Sequence, residues 1–272
     1  LIEADTGRTY ATVYRAFYRV GNVVVALKVL KKDPELGIQS TAVREIAILA
    51  GLAHPNIVML FDHFQLENHL ILAIELFALD LRQYIQKFST SIRSNKFIMY
   101  QLLDALIYLH QHPCKITHRD VTRGNIFLNL NLHVKISVWY RAPELLLGKP
   151  SNSAFNVDFW AAGCVMGELY SREPLFPGDN CTTVLEMIAR KMGIINAKIW
   201  PEIFSLPSYQ KYNYLARFSA EDIIDSLPAV TDDSGKDLLR LLLKRPIQKR
   251  DSCFLDHYWF DGTGFWENSQ VN

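Results

Sequence analysis

The chain has no long apolar run. Its richest stretch, Leu70 to Leu79, is ten residues long and contains Glu75, which is too short and too polar to span a bilayer. It has almost no net charge, with 29 Lys and Arg against 28 Asp and Glu. A formal charge of +1 offers no global basic field to nucleic acid or to an anionic membrane. The pairs Lys31-Lys32 and Lys244-Arg245 read as solvated surface charge. Cysteine is scarce: Cys114, Cys164, Cys181 and Cys253 are spaced 50, 17 and 72 apart, which fits neither a metal knuckle nor a redox pair. Reduced thiols in an intracellular protein of the cytoplasm or nucleus are therefore expected. No internal repeat or low-complexity tract is present. The chain opens Leu1-Ile2-Glu3, without a Met or a signal-peptide pattern, and reads as a piece of a longer gene product.

What is there can bury a sizeable core. The 272 residues are 49% hydrophobic and 21% charged, outside the disordered range. The first 75 or so residues read as a small sheet with one helix. Thr9 to Phe17 and Val20 to Leu30 are strand-like, with Gly21-Asn22 as a turn signal. A helix follows, capped by Ser40 or Thr41, with Val43, Ile46, Ala47 and Ala50 on one face. Val58 to Phe64 and Leu70 to Leu76 fit buried strands. Beyond them the pattern is helical: Ile98, Leu102, Ala105, Leu106 and Leu109 keep one face, and Pro113 lies just past the end. Ala161 to Tyr170 is apolar around most of its circumference, as in a helix buried on several sides. Val184 to Met192 and Lys236 to Leu243 are further helices.

Two clusters carry chemistry. Lys28 ends the apolar run Val25-Ala26-Leu27, where a buried ammonium needs an anion; Glu45 lies 17 residues on. His118-Arg119-Asp120 is followed at a spacing of five by Asn125. An Asp and an Asn so placed on one tight loop can accept a hydroxyl proton and bind a metal, respectively. Trp139-Tyr140-Arg141-Ala142-Pro143-Glu144 and Asp158-Phe159-Trp160-Ala161-Ala162-Gly163 come next, and Lys249-Arg250 later.

In this order the pieces resemble the eukaryotic protein kinases, and within them the cyclin-dependent kinase-like (CMGC) group. Gln39-Ser40-Thr41-Ala42-Val43-Arg44-Glu45, Trp139 to Glu144 and Pro174-Leu175-Phe176-Pro177-Gly178-Asp179 point to that group. The resemblance implies an α+β, bilobal fold: a small β-rich N-lobe (1–75), a hinge (76–80), a larger α-helical C-lobe (81–262), and a tail (263–272). It implies ATP and Mg²⁺ as cofactors and a protein substrate. Lys28, paired with Glu45, matches the residue that holds the ATP phosphates. Asp120 matches the catalytic base and Asn125 a Mg²⁺ ligand. Val13 and Ala26 match the roof of the adenine pocket, Phe127 its floor, Ile74 the gatekeeper, and Glu75 and Leu76 the hinge whose backbone bonds adenine. Arg141 matches the arginine that shapes a pocket for a proline after the target Ser or Thr. Glu144 and Arg250 match a structural ion pair, and Asp158 a brace under the catalytic loop. The helix Gln39 to Glu45 implies a cyclin-like activator.

The sequence also departs from that pattern. The three glycines of the phosphate loop are replaced by Thr6, Arg8 and Ala11, whose Cβ atoms crowd a phosphate. Thr122 stands where a lysine is usual. Asp-Phe-Gly is absent: after His133-Val134-Lys135-Ile136-Ser137, Val138 takes the place of the metal-binding aspartate and Trp139 follows at once. About twenty family residues, the activation loop among them, are missing. Residues 121–143 contain no Asp or Glu. Two origins fit the gap, a lost segment or a divergent chain, and the second implies a pseudokinase or scaffold.

Overall fold

The computed structural model describes residues 2–4, 11–31, 46–66, 69–136, 155–178, 180–193, 195, 200–219, 222–227, 229–244 and 252–263. By its contacts the chain divides into two compact units, Leu1–Ala78 and Leu79–Asn272.

The first unit is built on a five-stranded sheet: β1 (Ile2–Ala4), β2 (Ala11–Tyr18), β3 (Val23–Lys31), β4 (Leu60–Gln65) and β5 (His69–Glu75), in the spatial order β1-β2-β3-β5-β4. Every pairing is antiparallel; β2–β3 and β4–β5 are joined by the short connections that this arrangement permits. The β2–β3 hairpin turns where Gly21-Asn22 predicts it. Asn22 sits at φ 52 and its N–H donates to the Arg19 carbonyl at 3.3 Å; asparagine tolerates this left-handed geometry better than most residues. Strand β1 has no counterpart in the sequence reading, because three residues carry too little periodicity to register. Of the expected first helix (α1), residues 46–50 are described, and they are helical.

The second unit is mainly helical. A three-stranded sheet, β6 (Leu79–Asp80), β7 (Ile126–Leu128) and β8 (Val134–Ile136), pairs in sequence order. Helix α2 (Leu81–Lys87) starts at a reciprocal cap: the Asp80 carboxylate accepts from Gln83 N at 2.7 Å, and the Gln83 amide oxygen accepts from Asp80 N at 3.2 Å. This satisfies two backbone donors that a bare helix start would leave orphaned. The apolar pattern did not announce α2, which is short and buries only Leu81, Tyr84 and Ile85. Helix α3 (Ile92–Gln111) is capped the same way by Ser91 and Ser94 and ends just before Pro113. Its buried residues Ile98, Met99, Leu102, Leu103, Ala105 and Leu106 each contribute a transfer term, about 1.5–3 kcal/mol for the large ones.

Helix α4 (Phe155–Ser171) is buried from Val157 to Leu169, as its all-round apolarity predicts. It packs on α3 and on α7 (Asp233–Leu243). The α4–α7 approach needs Gly163, where an added Cβ would meet Leu243 Cδ2 at 2.8 Å. Helix α5 (Cys181–Met192) and the short α6 (Tyr209–Tyr212), with several 3₁₀ turns, complete the described elements. Cys114, Cys164 and Cys181 are free thiols. Among the described residues, no helix is long and apolar enough to cross a membrane.

Candidate active site

In the first unit the strand register assembles one face of the sheet. Val13 lies opposite Lys28, Ala26 opposite Ile74, and Lys28 also opposite Leu72. Opposed residues share a face and alternate residues along a strand return to it. Val13, Ala26, Lys28 and Ile74 therefore project from the same side. Ala26 and Leu72 are buried and Lys28 is half-buried. The result is an apolar patch that shares its face with two cations, Lys28 and, opposite Ala26, Arg15, which suits a planar base attached to an anionic group.

Glu75 falls on the opposite side, across from Val25. Its backbone N–H donates to the Met59 carbonyl at 3.1 Å. Its N–H is therefore taken up within the first unit. Leu76 follows directly and is half-buried.

In the second unit the loop 118–125 is shaped by a carboxylate 38 residues beyond Asp120. Asp158, fully buried near the start of α4, accepts from His118 N at 2.8 Å and from Arg119 N at 2.6 Å, and His110 Nε2 lies 2.7 Å from its Oδ2. These bonds hold Arg119 at φ 66, a backbone state that costs about 1 kcal/mol or more for a residue with a Cβ. The brace implied for Asp158 is thus present as a set of three contacts.

Asp120 is 4% exposed. The spacing of five closes into direct contact: Asn125 Nδ2 donates to the Asp120 carbonyl at 3.2 Å and to Asp120 Oδ2 at 3.3 Å. Thr122 makes that closure. Its carbonyl accepts from Asn125 N at 2.9 Å and its hydroxyl from Gly124 N at 3.2 Å. Threonine here folds the turn and brings no positive charge. Arg123, next in the chain, sends its Nε to within 3.9 Å of Glu168 Oε2 on α4.

His118 is buried, and its Nδ1 accepts from Asp120 N at 3.3 Å. Burial pushes its pKa from the ordinary histidine value down to about 4; Asp158 opposes that shift and His110 adds to it. The ring is therefore neutral near pH 7. With Nδ1 accepting, its proton sits on Nε2, which makes no hydrogen bond among the described residues. Phe127 lies on β7, paired with Asp80 on one side and Lys135 on the other.

Gln101 is a residue that sequence reasoning missed. It is buried on α3, where it donates to the Phe97 and Leu132 carbonyls at 3.1 and 3.0 Å and accepts from Val134 N at 2.9 Å. It thereby ties the β7–β8 hairpin to α3. A polar residue flanked by Phe97, Ile98 and Ala105 at helical spacing was the available signal. Glu168, buried within an apolar helix, was another.

Glu45, Arg141, the Gln39–Glu45 helix start, Thr6, Arg8, Val138, Trp139, Glu144 and Arg250 lie outside the described residues. Among the described residues no group of three or more His, Cys, Asp or Glu could hold a metal ion. Asn125, beside the Asp120 carboxylate, supplies the kind of hard oxygen donor that Mg²⁺ accepts when substrate phosphates complete its shell.

A family model described as the protein kinase domain matches residues 6–137 and 133–260.

Proposed function

The chain belongs to the protein kinase family, and from that premise we propose that it is a serine/threonine kinase of the cyclin-dependent type, moving the ATP γ-phosphate to a Ser or Thr followed by proline. The observation that carries the reading is the contact between Asp120 and Asn125 on a loop anchored by Asp158.

In the first unit, the sheet face of Val13, Ala26 and Ile74 would take adenine, and Lys28 would hold the α- and β-phosphates, steadied by Glu45. Asp120 would accept the hydroxyl proton of the substrate as the oxygen attacks. Asn125 would hold Mg²⁺ together with the phosphates. That metal, when bound, neutralises charge gathering on the transferred group. Burial of Asp120 keeps bulk water from competing for its carboxylate. Arg141 would shape the pocket for the proline, and a cyclin-like partner would press on the Gln39–Glu45 helix. The free thiols Cys114, Cys164 and Cys181 accord with a cytoplasmic or nuclear location.

A second reading, a nucleotide-binding scaffold without transfer, is favoured by one sequence fact. Residues 121–143 hold no carboxylate, and the two matched segments overlap at 133–137, next to Val138, which by the resemblance takes the place of the metal-binding aspartate. One experiment separates the two. The purified chain, with and without candidate cyclins, is incubated with γ-labelled ATP, Mg²⁺ and a Ser-Pro peptide. The kinase reading expects transfer that falls by about 10²–10⁴ in Asp120→Asn. Transfer no greater than in that variant, alongside nucleotide binding that ignores Mg²⁺, would establish the scaffold instead.

A further inference from the structure

Helix α4 holds the loop 118–125 at two places. Asp158, in its first turn, takes the backbone N–H groups of His118 and Arg119. Ten residues along the same helix, about 15 Å at the usual rise, Glu168 faces Arg123. Arg123 lies between Asp120 and Asn125, and its carbonyl accepts from Arg82 N on α2 at 3.1 Å. The Glu168 side chain is 2% exposed and that of Arg123 24%, so salt screens the pair less than it would a surface pair. The separation of 3.9 Å is too long for a hydrogen bond. The attraction is one of charge, and the geometry of the guanidinium fork is not being used.

We propose that Arg123 and Glu168 form a second anchor of this loop, and that Arg123 is a positioning residue holding Asn125 against Asp120. Arg123 is the sole cation of residues 120–125, and it is committed to α4. It therefore does not take over the role of the lysine that Thr122 replaces. The positioning role rests on the kinase reading; the anchor itself does not.

Backbone amide exchange of the full chain tests the anchor without requiring activity. In Arg123→Met and in Glu168→Gln, peptides covering 120–125 should exchange about tenfold faster, while peptides from α3 keep their rates and report that the fold persists. Arg123→Lys should stay near the unaltered chain, because charge alone is required. The double variant Arg123→Met, Glu168→Gln should exchange no faster than either single variant. Binding of a fluorescent ATP analogue adds the readout for positioning: Arg123→Met should need several-fold more Mg²⁺ for half-maximal binding, with Mg²⁺-free affinity unchanged. Unchanged exchange at 120–125 in Arg123→Met, additive single effects, or a lysine variant as fast as the methionine one would each overturn the anchor. An unshifted Mg²⁺ midpoint would overturn the positioning role. If the unaltered chain bound no nucleotide, the kinase reading would fail, and the exchange rates would still decide the anchor.

Discussion

The candidate residues of the first unit and those of the second are held in place by different forces. Lys28 owes its place to strand register: once β2, β3 and β5 pair, Val13, Ala26, Lys28 and Ile74 must share a face. Asp120 has no regular element around it. Its loop is set chiefly by a side chain distant in sequence, Asp158 on α4, which His110 on α3 contacts in turn. A face made by periodicity tolerates loss of one functional side chain. A loop made by buried polar bonds does not, because each broken bond strands a partner away from water.

That contrast makes predictions of graded size. The largest falls on Asp158. Asp158→Ala leaves two backbone donors and His110 without their acceptor, and should cost roughly 3–5 kcal/mol in denaturant unfolding. A loss under 1 kcal/mol would mean that the loop is held by something else. Next comes the buried His118. Its folded pKa, about 4, lies below the ordinary value of 6.5, so the unfolded chain binds the extra proton. Its contribution is complete above pH 6.5 and disappears as the pH falls towards 4, about 3 kcal/mol in all. Melting curves of the unaltered chain and of His118→Gln should therefore differ in slope across that window, the variant being the flatter. Parallel curves would contradict the burial of that ring.

Gln101→Leu comes third. It strands Val134 N and the Leu132 carbonyl and should cost about 1–3 kcal/mol, with faster amide exchange in the β7–β8 hairpin. The smallest stability effect belongs to the sheet. Lys28→Met should change the unfolding free energy by less than about 1 kcal/mol, yet lower affinity for a fluorescent ATP analogue by tenfold or more. A Lys28 variant that unfolds the first unit would erase the contrast between the two units.

Much of this was legible in the sequence. Strands β2, β3 and β5 and helices α3, α5 and α7 lie where strand-like runs or period-3.6 patterns put them, and α4 lies where an all-round apolar stretch does. The Asp120–Asn125 spacing was legible for a similar reason: five residues closed by a threonine turn can bring two side chains together locally. The rest was not legible, because its causes are distant. Gln101 bonds Leu132 and Val134, and Arg123 meets Glu168, 45 positions further along the chain. No local pattern encodes such a pairing. Strand β1 and helix α2 were missed for a different reason, being too short for periodicity to accumulate.

By itself, the sequence determined which residues could do chemistry and which elements would carry them, since both follow from residue type and short-range spacing. Only the tertiary structure decided that α4 would hold the loop of Asp120 at both ends, that His118 would be kept neutral, and that the charge of Arg123 would be committed to Glu168. Those outcomes depend on removing polar groups from water together. The energy of that step depends on what else is buried beside them, and not on where they fall in the chain.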